Sequence, residues 1–320
     1  FSGTAPISWW QLGSNSSYNS GAWTCLDEIG SNNAVSAGSM TNGDIVDGPG
    51  YSASGLGTSS IDILGDAPYS SANGLSENMD VLDRTLDTPI VNTHSIQLDG
   101  VDGAYVDFGN VNIFERTDAF SGSCWINLAS SASTGMFISK SKNSTIVGYQ
   151  FYVTATRDII FFIGDFYSNN YLLARTVNPI NASTWYNVAF TYSGSSARTG
   201  IKLYVNGVAQ SLSYQGPTSI TGSIVDSSVP FQISGRDGAN LVLDGKIDEV
   251  AMFNSELSAP QVASIYNNGT PGNILPLNPV SWHRFESLTT NGGVVTTADS
   301  SVNGLTGTVE NGAVLSTIVP

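Results

Sequence analysis

The run IKLYVNGVAQ, residues 201–210, decides the fold. Ile201, Leu203 and Val205 fall on one side of an extended chain and Lys202 and Tyr204 on the other, the two-residue period of a strand with one buried face. Asn206-Gly207 supplies the two positive-φ positions of a type I′ turn, so the run is a hairpin. The same texture repeats on either side of it. AYVDFG, FSGSCWINL, GMFISK, GYQFYVT, DIIFFIG, YLLARTV, TWYNVAFTYSG, FQISG and KIDEVAMF are short strand-like runs separated by turn residues between Ile96 and Tyr266. Strands at this spacing predict a sandwich or a barrel. One segment has the other period. In LSAPQVASIYNNG, Ser258 is placed to cap a helix, Pro260 stands in its first turn, Val262, Ile265 and Tyr266 share a face, and Gly269 ends it.

At 320 residues the chain can bury a substantial core. Charged residues are only 12% of it, so solubility rests on Gly, Ser, Thr and Asn, the profile of a β-rich protein facing the outside. The net charge is −15, and residues 1–83 hold nine Asp or Glu and no Lys or Arg. Phosphate contacts need clustered bases, which excludes nucleic acid as a partner, and the same charge repels an anionic membrane. Divalent cations are the charged partner such a surface favours. No stretch reaches the roughly 18 apolar residues of a membrane-spanning helix. Beginning at Phe1, the chain is expected to have lost a segment upstream. Cys25 and Cys124 allow at most one disulfide, and a buried free thiol at Cys124 is the equal alternative.

HSIQLDGVDGAYVDFG, FSGSCWINL, WYNVAFTYSG, IKLYVNGV and LDGKIDEVAMFNSELSAPQVASIYNNGTPGN follow one another in the order of a laminin-G-like domain, and the chain from His94 to Asn273 resembles the concanavalin-A-type jelly rolls of that family. The flanking phrases SWWQLG, DEIGSNNAVSAGSMTNGDIVDGPG, MDVLDRTLDTP and VSWHRFE resemble structural proteins of marine tailed bacteriophages that carry this jelly roll. The flanks also resemble each other. APISWWQLG (5–13) and NPVSWHRFE (278–286) are followed, 18 and 17 residues past the first Trp, by Asp27 and Asp299, each opening a Gly/Asn/Ser-rich run. A unit of about 40 residues with one or two hairpins cannot bury its aromatics alone. Each copy must therefore pack on the jelly roll, on the other copy or on a neighbouring subunit.

The same sandwich hosts glycoside hydrolases, which need two carboxylates on one strand face. No such pattern is present, because in DGKIDEV Asp248 and Glu249 alternate to opposite faces and ENMDVLDR is not strand-like. His94 and His283 stand in no catalytic context and two lone histidines do not make a zinc site. GPGYSASGLG lacks the strand-to-helix unit of a phosphate loop and reads as a linker. The family resemblance implies a Ca²⁺ site in some members, which maps here to Asp248 with Asp99 or Asp102 of LDGVDG beside it. Sugar binding would use exposed aromatics, for which Phe166, Tyr167 and Tyr171 in the Asn-rich DFYSNNYLL are the candidates, with hairpin packing as the plainer explanation.

The expectation is an all-β protein: a concanavalin-A-like (laminin-G-like) jelly-roll sandwich over 90–272 between small β-rich flanks, 1–89 and 273–320. The resemblance implies a non-catalytic structural protein exposed on a bacteriophage virion, a decoration or fibre component that contacts other virion proteins or further copies of itself. Interface hot spots favour desolvated aromatics, which nominates Trp9, Trp10, Trp23 and Trp282 for assembly. The alternative is an extracellular adhesin whose jelly roll recognises a host-surface glycan.

Overall fold

A computed structural model describes residues 90–320 apart from 101–103, 132, 227, 239 and 311–312, and, before residue 90, the backbone of three short strands. The chain divides into two compact units, Phe1–Val81 and Leu82–Pro320. In the first, β1 (Ser16–Asn19), β2 (Ala22–Cys25) and β3 (Ala34–Val35) pair antiparallel, with Tyr18 opposite Trp23. Trp9 and Trp10 lie outside the described residues, as does the side chain of Trp23.

The second unit holds β4 (Ser95–Asp99), β5 (Val106–Asp107), β6 (Phe120–Leu128), β7 (Gly135–Ser141), β8 (Val147–Val153), β9 (Ile159–Asp165), β10 (Asn170–Thr176), β11 (Trp185–Tyr192), β12 (Ile201–Val205), β13 (Val208–Ala209), β14 (Leu212–Gln215), β15 (Gln232–Ile233), β16 (Asp244–Phe253), the helix α1 (Ala259–Tyr266), β17 (Ser281–His283), β18 (Leu288–Asn291), β19 (Val294–Thr297), β20 (Gly307–Val309) and β21 (Val314–Ser316). They form two sheets. One runs β14-β10-β9-β8-β7-β15-β5-β20-β19-β18, the other β13-β12-β11-β6-β16-β4-β21, with β17 paired to β16. The predicted sandwich is thus the observed one. Alternation along each strand sends Phe120, Phe161 and Phe190 into the space between the sheets, where Phe161 and Phe190 stack at 4.1 Å and Phe120 meets Phe190 edge-on at 5.5 Å. This packing explains the glycine in FSGSCWINL, because a Cβ at Gly122 would lie 2.4 Å from the Phe190 ring. Cys124, on the same strand, is a buried free thiol.

The hairpin of residues 201–210 forms as expected, with Asn206 and Gly207 at φ 51° and 74°. Tyr204, however, is only 2% exposed although it points away from the central core. A second apolar layer buries it: Tyr204, Ala189, Ala251 and Phe253 of the sheet pack against Val262 and Ile265 of α1 and against Ile274 and Trp282. The helix starts where Ser258 and Gln261 cap each other reciprocally, and Asn267 rather than Gly269 turns left-handed at its end.

The segment 273–320 is part of the sandwich, not an attached flank. β17 pairs with β16, β20 with β5 and β21 with β4, so this stretch adds strands to both sheets. Trp282, nominated for contact with a neighbour, is 2% exposed in the chain's own second layer, and that assignment is corrected: pairing of β17 with β16 turns the indole inward. The spacing from Trp282 to Asp299 has a direct cause. Asp299 Oδ1 accepts from the backbone N–H of Trp282 and of Ser301, both at 2.8 Å, while Oδ2 accepts from the Leu305 N–H at 2.8 Å and the Ser301 hydroxyl at 2.6 Å. Burial works against its charge, but these donors hold the carboxyl below the usual range. Asp299→Ala is expected to lower the unfolding free energy by about 3 kcal/mol, since it strands several donors at once. The midpoint and slope of a urea transition measure it.

Candidate functional site

β8, β9 and β10 lie side by side in the larger sheet. Tyr149, Phe151, Ile159, Phe161, Ile163, Leu172 and Ala174 fill the central core, so the intervening residues face outward. Several of those outward residues are themselves apolar, beside the polar Gln150 and Arg175. Ile160, Phe162 and Leu173 form a small buried cluster, with Ile146, Tyr152 and Tyr171 packed against it. The three aromatics singled out in the sequence join this cluster at the β9–β10 turn. Tyr171 stacks on Phe162 at 5.5 Å, Phe166 lies 5.1 Å from Tyr171, and Tyr167 meets Phe166 edge-on at 5.7 Å. Phe166 is 44% and Tyr167 69% exposed, so the cluster rises from a buried base to two open rings.

Local chemistry holds this rim in place. Asp165 accepts from the Ser168 hydroxyl at 2.5 Å and its backbone N–H at 3.2 Å, and Asn169 takes the left-handed conformation at φ 49° that closes the turn. The Phe166 N–H donates to the Ile146 carbonyl, which ties the rim to the β7–β8 turn. Asn170 is expended structurally: its amide bonds the Thr221 carbonyl at 2.5 Å and accepts the Thr221 N–H at 2.9 Å. Gly216 allows the chain to pass against Tyr171, whose ring a Cβ there would approach to 2.9 Å.

Beside the rim, the chain after β15 folds back over the sheet. The Ser139 hydroxyl donates to the Gly235 carbonyl at 2.5 Å, Arg236 Nη2 donates to Asn143 Oδ1 at 2.7 Å, and the Gly238 N–H donates to Gln232 Oε1 at 3.0 Å. Arg236 and Arg175 both act on the outward-facing Tyr152, whose phenol burial nonetheless pushes up to about 12. Sequence periodicity in GYQFYVT places Tyr152 outward, but nothing local predicts that Arg236 is bonded to Asn143 on the turn before that strand. Arg175 is already matched by Asp158.

The carboxylates assigned to calcium behave differently. Asp248 is fully buried, accepting from Asn92 Nδ2 at 3.0 Å and from the Glu249 N–H at 2.8 Å. Asp99 lies opposite Asp244 on the β4–β16 ladder, at the far end of β4 from Ser95, and is exposed. Asp102 is outside the described residues. Asp248 and Asp99 are therefore not brought together, and the described residues contain no group of three His, Cys, Asp or Glu able to hold a metal. Asp248 and Asp99 do not fit a shared Ca²⁺ site, and the pairing of Asp248 with Asp102 lies outside the described residues.

The expectation that Asp248 and Glu249 face opposite ways is also corrected. A bulge interrupts the β16–β6 register between Asp248 and Ala251, and Glu249 sits at φ 51°. Ile247 and Val250 still point into the central core, so both acids between them turn to the other side. There Glu249 accepts from Trp282 Nε1 at 2.5 Å and from Arg284 Nε at 3.2 Å. Burial, then the charge of Glu249, push the Asp248 carboxyl well above the usual range, and burial raises Glu249 to about 7 despite Arg284. At 0% and 5% exposure the pair is sealed from any glycosidic oxygen. His283, also buried, packs 4.3 Å from the Phe108 ring and is held neutral by burial, which lowers it to about 4. His94 lies beside Thr93 at 2.8 Å.

Two antiparallel sheets, a sealed acid pair and one capped helix after the last central strand define a concanavalin A-like jelly roll. The profile of the Laminin_G_3 family, described as the Concanavalin A-like lectin/glucanases superfamily, matches residues 99–263, and the chain belongs to that superfamily. No curated protein matches the sequence. Among solved structures, a candidate carbohydrate-binding protein from Bacteroides ovatus is similar at 18% identity and TM-score 0.49, covering 73% of this chain and 62% of its own. A heptameric SAP-like pentraxin from Limulus polyphemus is similar at 12% identity and TM-score 0.41, covering 57% of this chain and 86% of its own. The CBM40 of a Ruminococcus gnavus IT-sialidase, bound to α2,3-sialyllactose, is similar at 11% identity and TM-score 0.40, covering 55% of this chain and 100% of its own. The chain thus spans less than two thirds of the Bacteroides ovatus protein.

Proposed function

We propose that the sandwich is a non-catalytic carbohydrate-binding module of an extracellular adhesin, taking a host-surface glycan against Phe166, Tyr167 and Tyr171. The observation that carries this reading is the graded aromatic cluster, buried at Phe162 and open at Phe166 and Tyr167. A sugar presents C–H faces to such rings while its hydroxyls stay in water, and an open ring on a pinned turn loses little entropy on binding. Membership in a superfamily whose description names lectins supports it. The flanking phrases suggest a bacteriophage virion surface as the setting, without bearing on the sugar. A purely structural virion role is the weaker reading, because Trp282, its one described contact residue, is committed to the chain's own core.

A glycan array with the full chain tests this. Saturable binding is expected, and Tyr167→Ala is expected to weaken it about tenfold with the thermal transition unchanged, in line with the loss of one stacking ring. Binding that survives both Tyr167→Ala and Tyr171→Ala would move the site elsewhere, and no binding across a broad array would end the reading.

A further inference from the structure

We infer that Arg236 forms an anion subsite beside the aromatic rim, so that the sugar taken there is one bearing a carboxylate; the inference rests on the rim being a sugar site. Arg236 is half-buried and enters no ion pair among the described residues, whereas Lys142, Arg175, Lys202 and Arg284 each have a carboxylate partner. Its single acceptor is neutral, the Asn143 side chain, and its Nε is buried with no hydrogen-bond partner. Asp237, next in the chain, is turned to the Asn143 N–H, which it accepts at 3.1 Å. Asp165 is held by Ser168. The Asp237 charge acts on the guanidinium from beside it without forming an ion pair, and among the described residues Nη1 has no acceptor.

Its position is fixed before any ligand arrives. The Arg236 N–H donates to the Asn240 carbonyl at 3.0 Å, and the Gly235 carbonyl is anchored by Ser139. Its bond to Asn143 seats the guanidinium on the β7–β8 turn, the same turn whose Ile146 carbonyl accepts the Phe166 N–H at the base of the rim. Burial draws Arg236 below its ordinary value, yet a guanidinium stays charged at any physiological pH. A partly desolvated, pre-oriented guanidinium binds a carboxylate more strongly than it binds water or a neutral hydroxyl. A chain with net charge −15 repels anions at long range, so such selectivity must come from this short-range contact.

Calorimetric titration of the full chain with a galacturonate tetramer and with the neutral galactose tetramer reads the preference. The wild type is expected to favour the uronate at least about tenfold. Arg236→Gln should bring the two to parity by weakening the uronate alone, and Arg236→Lys should restore part of the difference. Tyr167→Ala should weaken both ligands. Equal affinities in the wild type, or a preference that persists in a folded Arg236→Gln, overturn the subsite while neutral binding leaves the rim standing. Binding of neither tetramer by the wild type overturns the subsite, and a blank glycan array would take the rim with it.

Discussion

A chain ending at Pro276 is expected to yield no cooperative thermal transition and to precipitate or elute as aggregate on size exclusion. The truncation removes β17 from β16, β20 from β5 and β21 from β4, and so exposes unpaired strands in both sheets. It also removes Phe285 from the central core and Trp282 from the second layer. Emptying each of these sites costs about 3–5 kcal/mol, and their sum with the lost pairing exceeds the roughly 5–15 kcal/mol by which a domain is stable. The near-UV circular dichroism of the truncated chain is the direct measure. A folded, monomeric product would show that residues 277–320 are a strap on a self-sufficient sandwich.

The second large effect lies at the bulge. Glu249→Ala leaves the Arg284 guanidinium and the Trp282 indole N–H short of their buried acceptor, and is expected to cost about 3–5 kcal/mol. Asp248→Asn should behave in the opposite way. Both carboxyls bind protons more tightly in the folded chain than in the unfolded one, with Glu249 moving from its ordinary 4.5 to about 7. Between those values the folded state holds more protons, so this pair makes stability fall as pH rises through the window. Asp299, held below the usual range, acts in the opposite sense at lower pH. Asn92 Oδ1 has no hydrogen-bond partner, and an amide at 248 can supply one once the Asn92 side chain flips. Asp248→Asn is therefore expected to be at least as stable as the wild type at pH 8 and to flatten the slope between pH 5 and 8, measured by urea unfolding. A wild-type stability that climbs across that range would refute the protonated pair.

These two sites mark where sequence reading reaches and where it stops. Strand alternation places Ile201, Leu203 and the β9 phenylalanines correctly, because a half-buried strand repeats every two residues whatever packs on it. The reciprocal cap of α1 is legible at Ser258 because it is made within one turn. The paired Trp and Asp motifs are legible as a repeat, and in the second copy the spacing is explained by four hydrogen bonds to Asp299. The bulge at Glu249 is not legible, since one extra residue reverses which face an acid occupies and only the partner strand reveals it. Burial of Tyr204 depends on a helix more than 50 residues later in the chain. The rim aromatics are legible as an Asn-rich, Tyr-bearing turn, whereas Arg236 reaches Asn143 of the neighbouring β7–β8 turn through a fold-back whose contacts span more than 90 residues.

The antiparallel pairing of β21 with β4 sets Ser316 opposite Ser95, and the Ser95 hydroxyl bonds the Ile318 carbonyl at 2.8 Å. The polypeptide therefore enters and leaves the sandwich at neighbouring points on one edge. Tension applied between those two points first loads the bonds of Asn92 to Asp248 and of Thr93 to Glu286, and then a single short strand pair, which opens by peeling one hydrogen bond after another. Pull exerted through a ligand on the larger sheet meets the whole sandwich instead, with every strand sharing the strain. The sandwich is thus soft to being stretched along its own chain and would be stiff to being drawn by a ligand on the larger sheet.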